Sequence, residues 1–523
     1  MDENKIDIVE NIRLDIDCTD DDAIKEAARR LDKTPESPGR IYKKSIDARH
    51  KNNIKFVYSV IFEKKDIFGE KQNDIEIIKM KPGERTQKSR PVVVGFGPAG
   101  MFCALVLAEN GYNPIVFEMG ADIDERIKKV DELFKNGILD EKTNICFGEG
   151  GAGTFSDGKL VTRINDRYCG YVLNKLVESG ASDDILYQAK PHIGTDKIRI
   201  ITKKIREEII KYGGEIYFNS EVTDININFD QIEILINNNG KLKTTGLFLA
   251  AGHSAFGLYD ILLKKGLSIA PKAYSVGFRI EHKQNYMDEM IYGNCAGHKN
   301  LPPAEYVLSY KKPNTRGVYT FCMCPGGMVV NSTSEKGGIV TNGMSYSGRT
   351  GENANAAVAV SILPEDYGNN ISGAFAFRKK LEESAFKIKN QDFTAPVQTL
   401  GDYFRNKTGS LHKSRIDPSY TGKIIEYDLN KLFPEFINQT IKMGMNQFDK
   451  ILKGYYYENA ILTAPETRTS SAVRILRDNF TFASVNCENI YPCGEGSGYA
   501  GGITSSAVDG IKCAVKYMEK YKC

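Results

Sequence analysis

The spacing of apolar residues changes character along this chain. Ile12, Leu14 and Ile16 alternate with polar neighbours, the two-residue period of a half-buried strand. Asp20 to Asp22 then offer N-cap carboxylates to a helix running to about Leu31. The PESPG break precedes strand-like segments near Ile41 and from Ile54 to Phe62, and the polar stretch KPGERTQKSR follows. This predicts a small α+β domain over residues 1–88. A different texture begins at Pro91, where VVV reads as a buried strand, followed by a glycine turn, an apolar helix and a second strand ending near Phe117. Ile198, Ile201, Ile205 and Ile209 fall on one face of a helix expected from Thr195 to Tyr212, which leads through two glycines into the strand EIYFNSEV. A strand pair around Ile225–Ile236 and the apolar strand LFLAAG come next. Strands alternating with helices predict an α/β fold with a parallel sheet. From about Pro271 to Tyr457 the chain is rich in Tyr and Gly, with strand signals and few strong helices. That change predicts an inserted mixed α+β domain over 269–460, between a first part over 90–268 and a C-terminal part over 461–523.

Composition narrows the class. With 523 residues, 41% hydrophobic and 26% charged, the chain is enzyme-sized and of globular type. A formal net charge of +3 gives no field that would argue for nucleic acid or an anionic membrane. The opening residues are acidic and lack the basic start and apolar core of a secretory signal. Eleven cysteines, an odd number, form no disulfide framework; reduced thiols in a cytoplasmic protein are expected. Residues 91–108 carry no charge over about the length of a membrane span. Gly95, Gly97, Pro98 and Gly100 within them suit a strand-to-helix turn instead. Arg40, Lys43, Lys44, Arg49 and Lys51 form a basic stretch that suits either a phosphate contact or an edge strand guarded by charge.

The glycines locate the chemistry. Of 48, thirteen lie in loops 95–100, 148–158 and 494–502. GFGPAG, following VVV and opening a helix, has the form of a dinucleotide-binding turn. Gly95 permits the turn, Gly97 lets backbone approach a pyrophosphate, and Gly100 lets helix pack on strand. The helix start points free N–H groups at the phosphates, and Glu118 ends the next strand where an acid meets ribose hydroxyls. An acid there argues against a 2′-phosphate. GEGGAG from Gly148 and GSGYAG from Gly496 repeat the spacing without a complete second fold, so both read as loops closing on a ligand already held by the first. GTFSDGK from Gly153 starts like a P-loop, but Leu160 stands where the magnesium-binding hydroxyl is required, which argues against an NTPase.

The order of these loops resembles the glutathione-reductase-like flavoproteins, whose FAD is bound by sequence-distant segments around an inserted substrate domain. More closely, the chain resembles throughout its length the family of uncharacterised FAD-dependent dehydrogenases. SIDARHK (Ser45–Lys51), FGEGGAGTFSDGKL (Phe147–Leu160), AAGHSA (Ala250–Ala255), VGFRIEH (Val276–His282), CMCPGGMVVNSTSE (Cys322–Glu335), ETRTSSAVRILR (Glu466–Arg477) and YPCGEGSGYAGGITSSAVDG (Tyr491–Gly510) carry that resemblance. It implies an FAD-binding Rossmann-like domain in discontinuous segments and oxidoreductase activity. By the same resemblance, Gly95, Gly97, Pro98, Ala99 and Gly100 surround the FAD pyrophosphate and Glu118 meets the ribose. Val222 offers a backbone amide to the adenine and Gly252 a second contact. Gly494 and Glu495 match a Gly-Asp pair near the ribityl phosphate, with Glu in place of Asp. Gly501, Gly502 and Ile503 bring a helix N-terminus toward the flavin ring, where its dipole would favour the anionic reduced form.

For the reacting side, Arg279 and His282 are candidates to bind an anionic small-molecule substrate or move a proton, against a salt-bridged strand Arg and a surface His. His253 is expected near the cofactor. Arg349, Arg468 and Arg474 suit either a substrate carboxylate or ion pairs. Cys322 and Cys324 suit a redox dithiol if the strand bends, since i and i+2 thiols on a regular strand bridge poorly. No His/Cys cluster has metal spacing. The expected function is two-electron hydride transfer through non-covalent FAD, with NAD(P)H as a transient donor because no second nucleotide fold is complete. The alternatives are an RNA-modifying flavoprotein and a non-catalytic flavin-bound sensor; oligomeric state is left open.

Overall fold

The computed structural model describes residues 7–34, 38–51, 53–62, 78, 82–228, 231–313, 315–389 and 392–523. Part of PESPG (35–37), the first linker residue (81) and the first six residues lie outside them.

The N-terminal unit is an antiparallel sheet with Lys55–Phe62 in the centre, flanked by Asp7–Asp15 and Gly39–Asp47. Helix Asp20–Arg30 packs Ala23, Ala27 and Ala28 into its core. Thr19, not Asp20–Asp22, is the N-cap: its hydroxyl accepts from Asp22 N at 3.3 Å, and the Asp22 carboxylate accepts from Thr19 N at 2.8 Å. Two cations of the basic stretch are paired. Lys44 pairs with Asp20 at 2.7 Å, and Arg49 pairs with Asp47. Lys44 N donates to the Tyr187 carbonyl at 2.8 Å while its own carbonyl accepts from Ala189 N, so the edge strand is bonded to a neighbouring loop.

The second unit centres on a five-stranded parallel sheet, in the order Ile490–Pro492, Leu247–Leu249, Val92–Val94, Ile115–Phe117, Glu215–Tyr217. Its strands thus come from both ends of the chain. Helix Pro98–Glu109 is apolar on all sides because it is enclosed by this sheet and by helices Thr195–Lys211 and Ile503–Lys520. That enclosure accounts for the uncharged stretch at 91–108. Among the described residues no helix is long and apolar enough to cross a membrane.

The third unit is a seven-stranded sheet ordered Ser309–Tyr310, Val318–Cys324, Asn353–Ile362, Tyr274–Lys283, Ile461–Glu466, Ala395–Thr399, Ile424–Glu426. Ile461–Glu466 therefore belongs here, between Tyr274–Lys283 and Ala395–Thr399, rather than with the C-terminal segment. Tyr274–Lys283 is central, and nine of its ten residues are buried. Val276, Phe278 and Ile280 enter the core shared with helix Glu435–Ile451, while Gly277, Arg279 and Glu281 face the opposite side. Hairpin Met328–Asn331/Thr341–Met344 covers that opposite side.

Candidate functional site

Between the parallel sheet and the seven-stranded sheet lies a cleft of about 900 Å³, near the upper end of the ~300–1,000 Å³ usual for small-molecule sites. Its floor is the turn after Val92–Val94. Gly95 has φ +98°, and a Cβ there would stand 2.5 Å from the Ala250 carbonyl oxygen. Gly97, Pro98 and Ala99 face the cleft. Gly100 does not: a Cβ on it would lie 1.9 Å from the Gly95 carbonyl oxygen, so it seats the helix on the turn rather than touching a ligand.

The glycine loop at 148–153 docks onto this turn. Gly150 N donates to the Phe96 carbonyl at 2.9 Å, and a Cβ on Gly151 would lie 2.8 Å from Gly97 Cα. Two charged side chains hold the loops in register. Glu118 accepts from Phe96 N (2.8 Å), Gly120 N (3.0 Å) and Gly148 N (2.8 Å). A carboxylate offers about four acceptor sites, so most of its capacity is spent on backbone. Arg126, fully buried, donates to the carbonyls of Asn144, Ile145, Gly148, Glu149 and Gly151. Burial pulls its guanidinium down to about 10. No motif pointed to Arg126, but a signal was present: it occupies the apolar face of its helix, in step with Ile123, Val130 and Leu133. Lys159, the lysine of the P-loop-like stretch, is neutralised by Asp157 at 3.0 Å and Glu305 at 3.3 Å.

The remaining expected positions converge on the same space. Val222, Gly252, Gly494, Glu495, Gly501, Gly502 and Ile503 all line the cleft. Gly494 N is held by Asp509 Oδ2 at 2.7 Å, which joins this loop to its own helix. Helices Pro98–Glu109 and Ile503–Lys520 both start at the cleft with glycine N-caps and no side-chain cap, leaving first-turn N–H groups free to meet an anion. A Cβ on Gly252, Gly501 or Gly502 would meet open space. The cleft thus has a backbone cradle at two helix starts, a shape and polarity that fit a dinucleotide such as FAD.

Beside Glu495 the cleft wall carries His253, its Nε2 3.7 Å from Glu495 Oε1. Burial, with Arg378 and Arg468 nearby, pulls the imidazole down to about 3, and burial pushes the Glu495 carboxyl up. Arg468 lines the cleft but is bound to Glu382 at 2.8 Å and 3.1 Å. Arg349 pairs with Asp157, and Arg474 donates to the Gly498 carbonyl.

Arg279 and His282 do not line the cleft and do not face each other. Three residues apart on one strand, they point to opposite faces. His282 is fully buried, not on the surface; its Nε2 lies 3.0 Å from the Tyr455 carbonyl, and burial pulls it down to about 4. Arg279 lies behind the cleft wall, fully buried. Its Nε is 3.3 Å from Glu466 Oε2, and its guanidinium donates to the Cys322 carbonyl at 3.1 Å and to Cys324 Sγ at 3.6 Å. Burial opposes its charge, but Glu466 and the two thiols hold its pKa up. Cys322 lines the cleft, and Cys324 is fully buried behind it. Glu466 had no signal of its own in the sequence; pairing across the sheet brings it opposite Gly277, next to Arg279.

This geometry fits a dinucleotide-binding class of protein. Residues 273–469 match the model of the "FAD-dependent protein, C-terminal domain-like" family, and residues 7–63 match a domain of unknown function. An uncharacterised protein of Clostridium beijerinckii is 43% identical over 529 residues, covering 98% of each chain. The chain belongs to this family of FAD-dependent proteins. Among solved structures, flavin-dependent brominase Bmp2 is similar at TM-score 0.36 and 12% identity, covering 83% of this chain and 81% of its own. Halogenase PltM (TM-score 0.33, 12% identity, 81% and 67%) and tetracycline destructase Tet(51) (0.33, 10%, 82% and 80%) are similarly distant.

Proposed function

We propose that this chain is an oxidoreductase that moves two electrons, as a hydride, between a small molecule and non-covalently held FAD, in the manner of the glutathione-reductase-like flavoproteins. The observation carrying this reading is the cleft with two uncapped helix starts, each preceded by a glycine loop. Gly97 and Ala99 would hold the pyrophosphate with free backbone amides, and Pro98, which has no N–H, would pack beside it. Glu118 keeps at most one acceptor site for a ribose hydroxyl, its other oxygen sites being engaged by backbone. Val222 and Gly252 would flank the adenosine end. Glu495 and Gly494 would stand near the ribityl chain, and Gly501, Gly502 and Ile503 near the ring. Bound there, FAD supplies two-electron redox chemistry. The start of helix Ile503–Lys520 would stabilise negative charge beside it. The seven-stranded sheet would close the cleft and exclude water from the reacting face. NADH or NADPH, binding transiently, is the proposed donor.

Purified protein should carry the two-band flavin absorbance or take up added FAD, and anaerobic NADH or NADPH should bleach it rapidly. Protein that neither carries nor takes up FAD overturns this reading.

A further inference from the structure

Val318–Cys324 is not a regular strand at its end. Its pairing with Asn353–Ile362 slips between Phe321 and Cys324, and Cys322 sits in the left-handed region at φ +46°. That conformation is strained for a non-glycine residue and tends to persist where surrounding structure enforces it, often at functional sites. On a flat strand, residues two apart lie roughly 6.6 Å apart along the axis. A disulfide needs Cβ atoms within about 3.5–4.5 Å. The bulge breaks that regular spacing, and the Cys324 thiol donates to the Cys322 carbonyl at 3.4 Å.

The surroundings are specific. The Arg279 guanidinium is clamped between Glu466, Asn355 Oδ1 at 3.1 Å, the Cys322 carbonyl and Cys324 Sγ. Its place depends on Gly343, where a Cβ would stand 1.6 Å from Arg279 Nη2. A full positive charge is thus fixed against the inner sulfur, while the outer cysteine lines the cleft. Hydrogen bonding from Cys322 and the charge of Arg279 hold the Cys324 thiol down to about 7, and the Cys322 thiol stays well above the usual range.

From the bulge, the fixed guanidinium and the cleft-facing sulfur, we propose that Cys322 and Cys324 form a second two-electron redox centre, cycling between a dithiol and an intrachain disulfide in exchange with the flavin. The coupling rests on the FAD reading above. On oxidation each cysteine gives up its proton and the sulfurs join in one S–S bond. The released electron pair, with one of the two protons, reduces the flavin; the other proton leaves to solvent. In reverse, the S–S bond breaks as reduced flavin returns the electron pair. An external thiolate has a defined point of entry: it attacks the cleft-facing Cys322 sulfur, forming a mixed disulfide, and Cys324 departs as a thiolate stabilised by Arg279. A second external thiol resolves the mixed disulfide, leaving Cys322 reduced and an external disulfide released. Arg279 contacts the reacting Cys324 sulfur directly, and its charge stabilises the thiolate there.

The test uses the intact chain, with and without FAD, equilibrated in glutathione redox buffers, quenched by alkylation and read by peptide mass spectrometry. A Cys322–Cys324 disulfide is expected to appear in a single two-electron transition, and to be absent from C322S and C324S. Anaerobic dithionite titration of the FAD-loaded protein should consume about four electrons per flavin in the wild type and about two in either variant. The proposal is overturned if both cysteines alkylate at every poise. It is also overturned if the disulfide forms but the loaded wild type takes up about two electrons per flavin. A chain that forms the disulfide but holds no flavin overturns the function reading, and the coupling with it, while leaving the thiol couple in place.

Discussion

The two ends of the cleft are built from opposite materials. At the glycine-loop end, the proposed nucleotide end, the lining is mostly backbone: glycine loops and uncapped helix starts, with Glu118 and Arg126 spent on holding those loops in place. At the Cys322 end the wall is backed by side chains with no access to water, where Arg279 and Glu466 form a buried ion pair behind two thiols. The first arrangement suits a ligand with diffuse negative charge, because many partial charges on amides meet it without a desolvated ion. The second suits a group whose charge state must be controlled, because one full charge in a dry setting acts strongly on its neighbour. The difference teaches where each end is fragile: steric space at one, charge pairing at the other.

Removing one partner of the buried pair should have the largest effect. Arg279→Met leaves Glu466 alone and should cost about 3–5 kcal/mol in urea unfolding, most of it recovered in Arg279→Met/Glu466→Gln. Full recovery is not expected, since Asn355 and the Cys322 carbonyl also lose a donor. A single variant as stable as the wild type would contradict the ion-pair account.

At the nucleotide end the contrast lies between neighbours. Gly100→Ala places a Cβ 1.9 Å from the Gly95 carbonyl and should destabilise the fold by about 1–3 kcal/mol. Gly97→Ala meets only Gly151 Cα at 3.7 Å. Its thermal stability should therefore stay within about 0.5 kcal/mol. Its FAD affinity, read by fluorescence titration, should fall about tenfold, equivalent to ~1.4 kcal/mol. If both variants lose stability alike, the cleft-facing assignment of Gly97 fails.

A thiol titration probes the charge at the other end. The first proton of the thiol pair should leave near pH 7, seen as ultraviolet thiolate absorbance. A positive charge favours the anion, so displacing Arg279 must raise this midpoint. Gly343→Ala, which pushes on Nη2, should move it toward the ordinary thiol value of 9.0 and remove most of the thiolate at pH 7. An unchanged midpoint would show that hydrogen bonding between the two cysteines alone sets it.

Much of the nucleotide end was legible because its signals are local. The VVV strand, the Gly95–Gly100 turn and the following helix lie within one short stretch, and glycine spacing reports a steric need that no tertiary contact can alter. The basic stretch at Arg40–Lys51 carried two readings, and only the pairing of Lys44 with the 187–189 loop showed how its edge is covered. The grouping of Arg279 with His282 failed for a reason also present in the sequence: an odd spacing on a strand puts the two on opposite faces.

The sequence by itself determined where the chain turns and which glycine loops, far apart along it, come to line one cleft, because these follow from periodicity and from residues lacking a side chain. It could not determine which partners the charged residues take. Arg126 reaching around its own loop, Glu466 arriving behind Arg279 from a strand nearly two hundred residues away, and a bulge taking Cys322 and Cys324 off the regular strand spacing were decided only when the sheets came together. Long-range strand pairing, not local preference, fixes the distances on which buried charge depends.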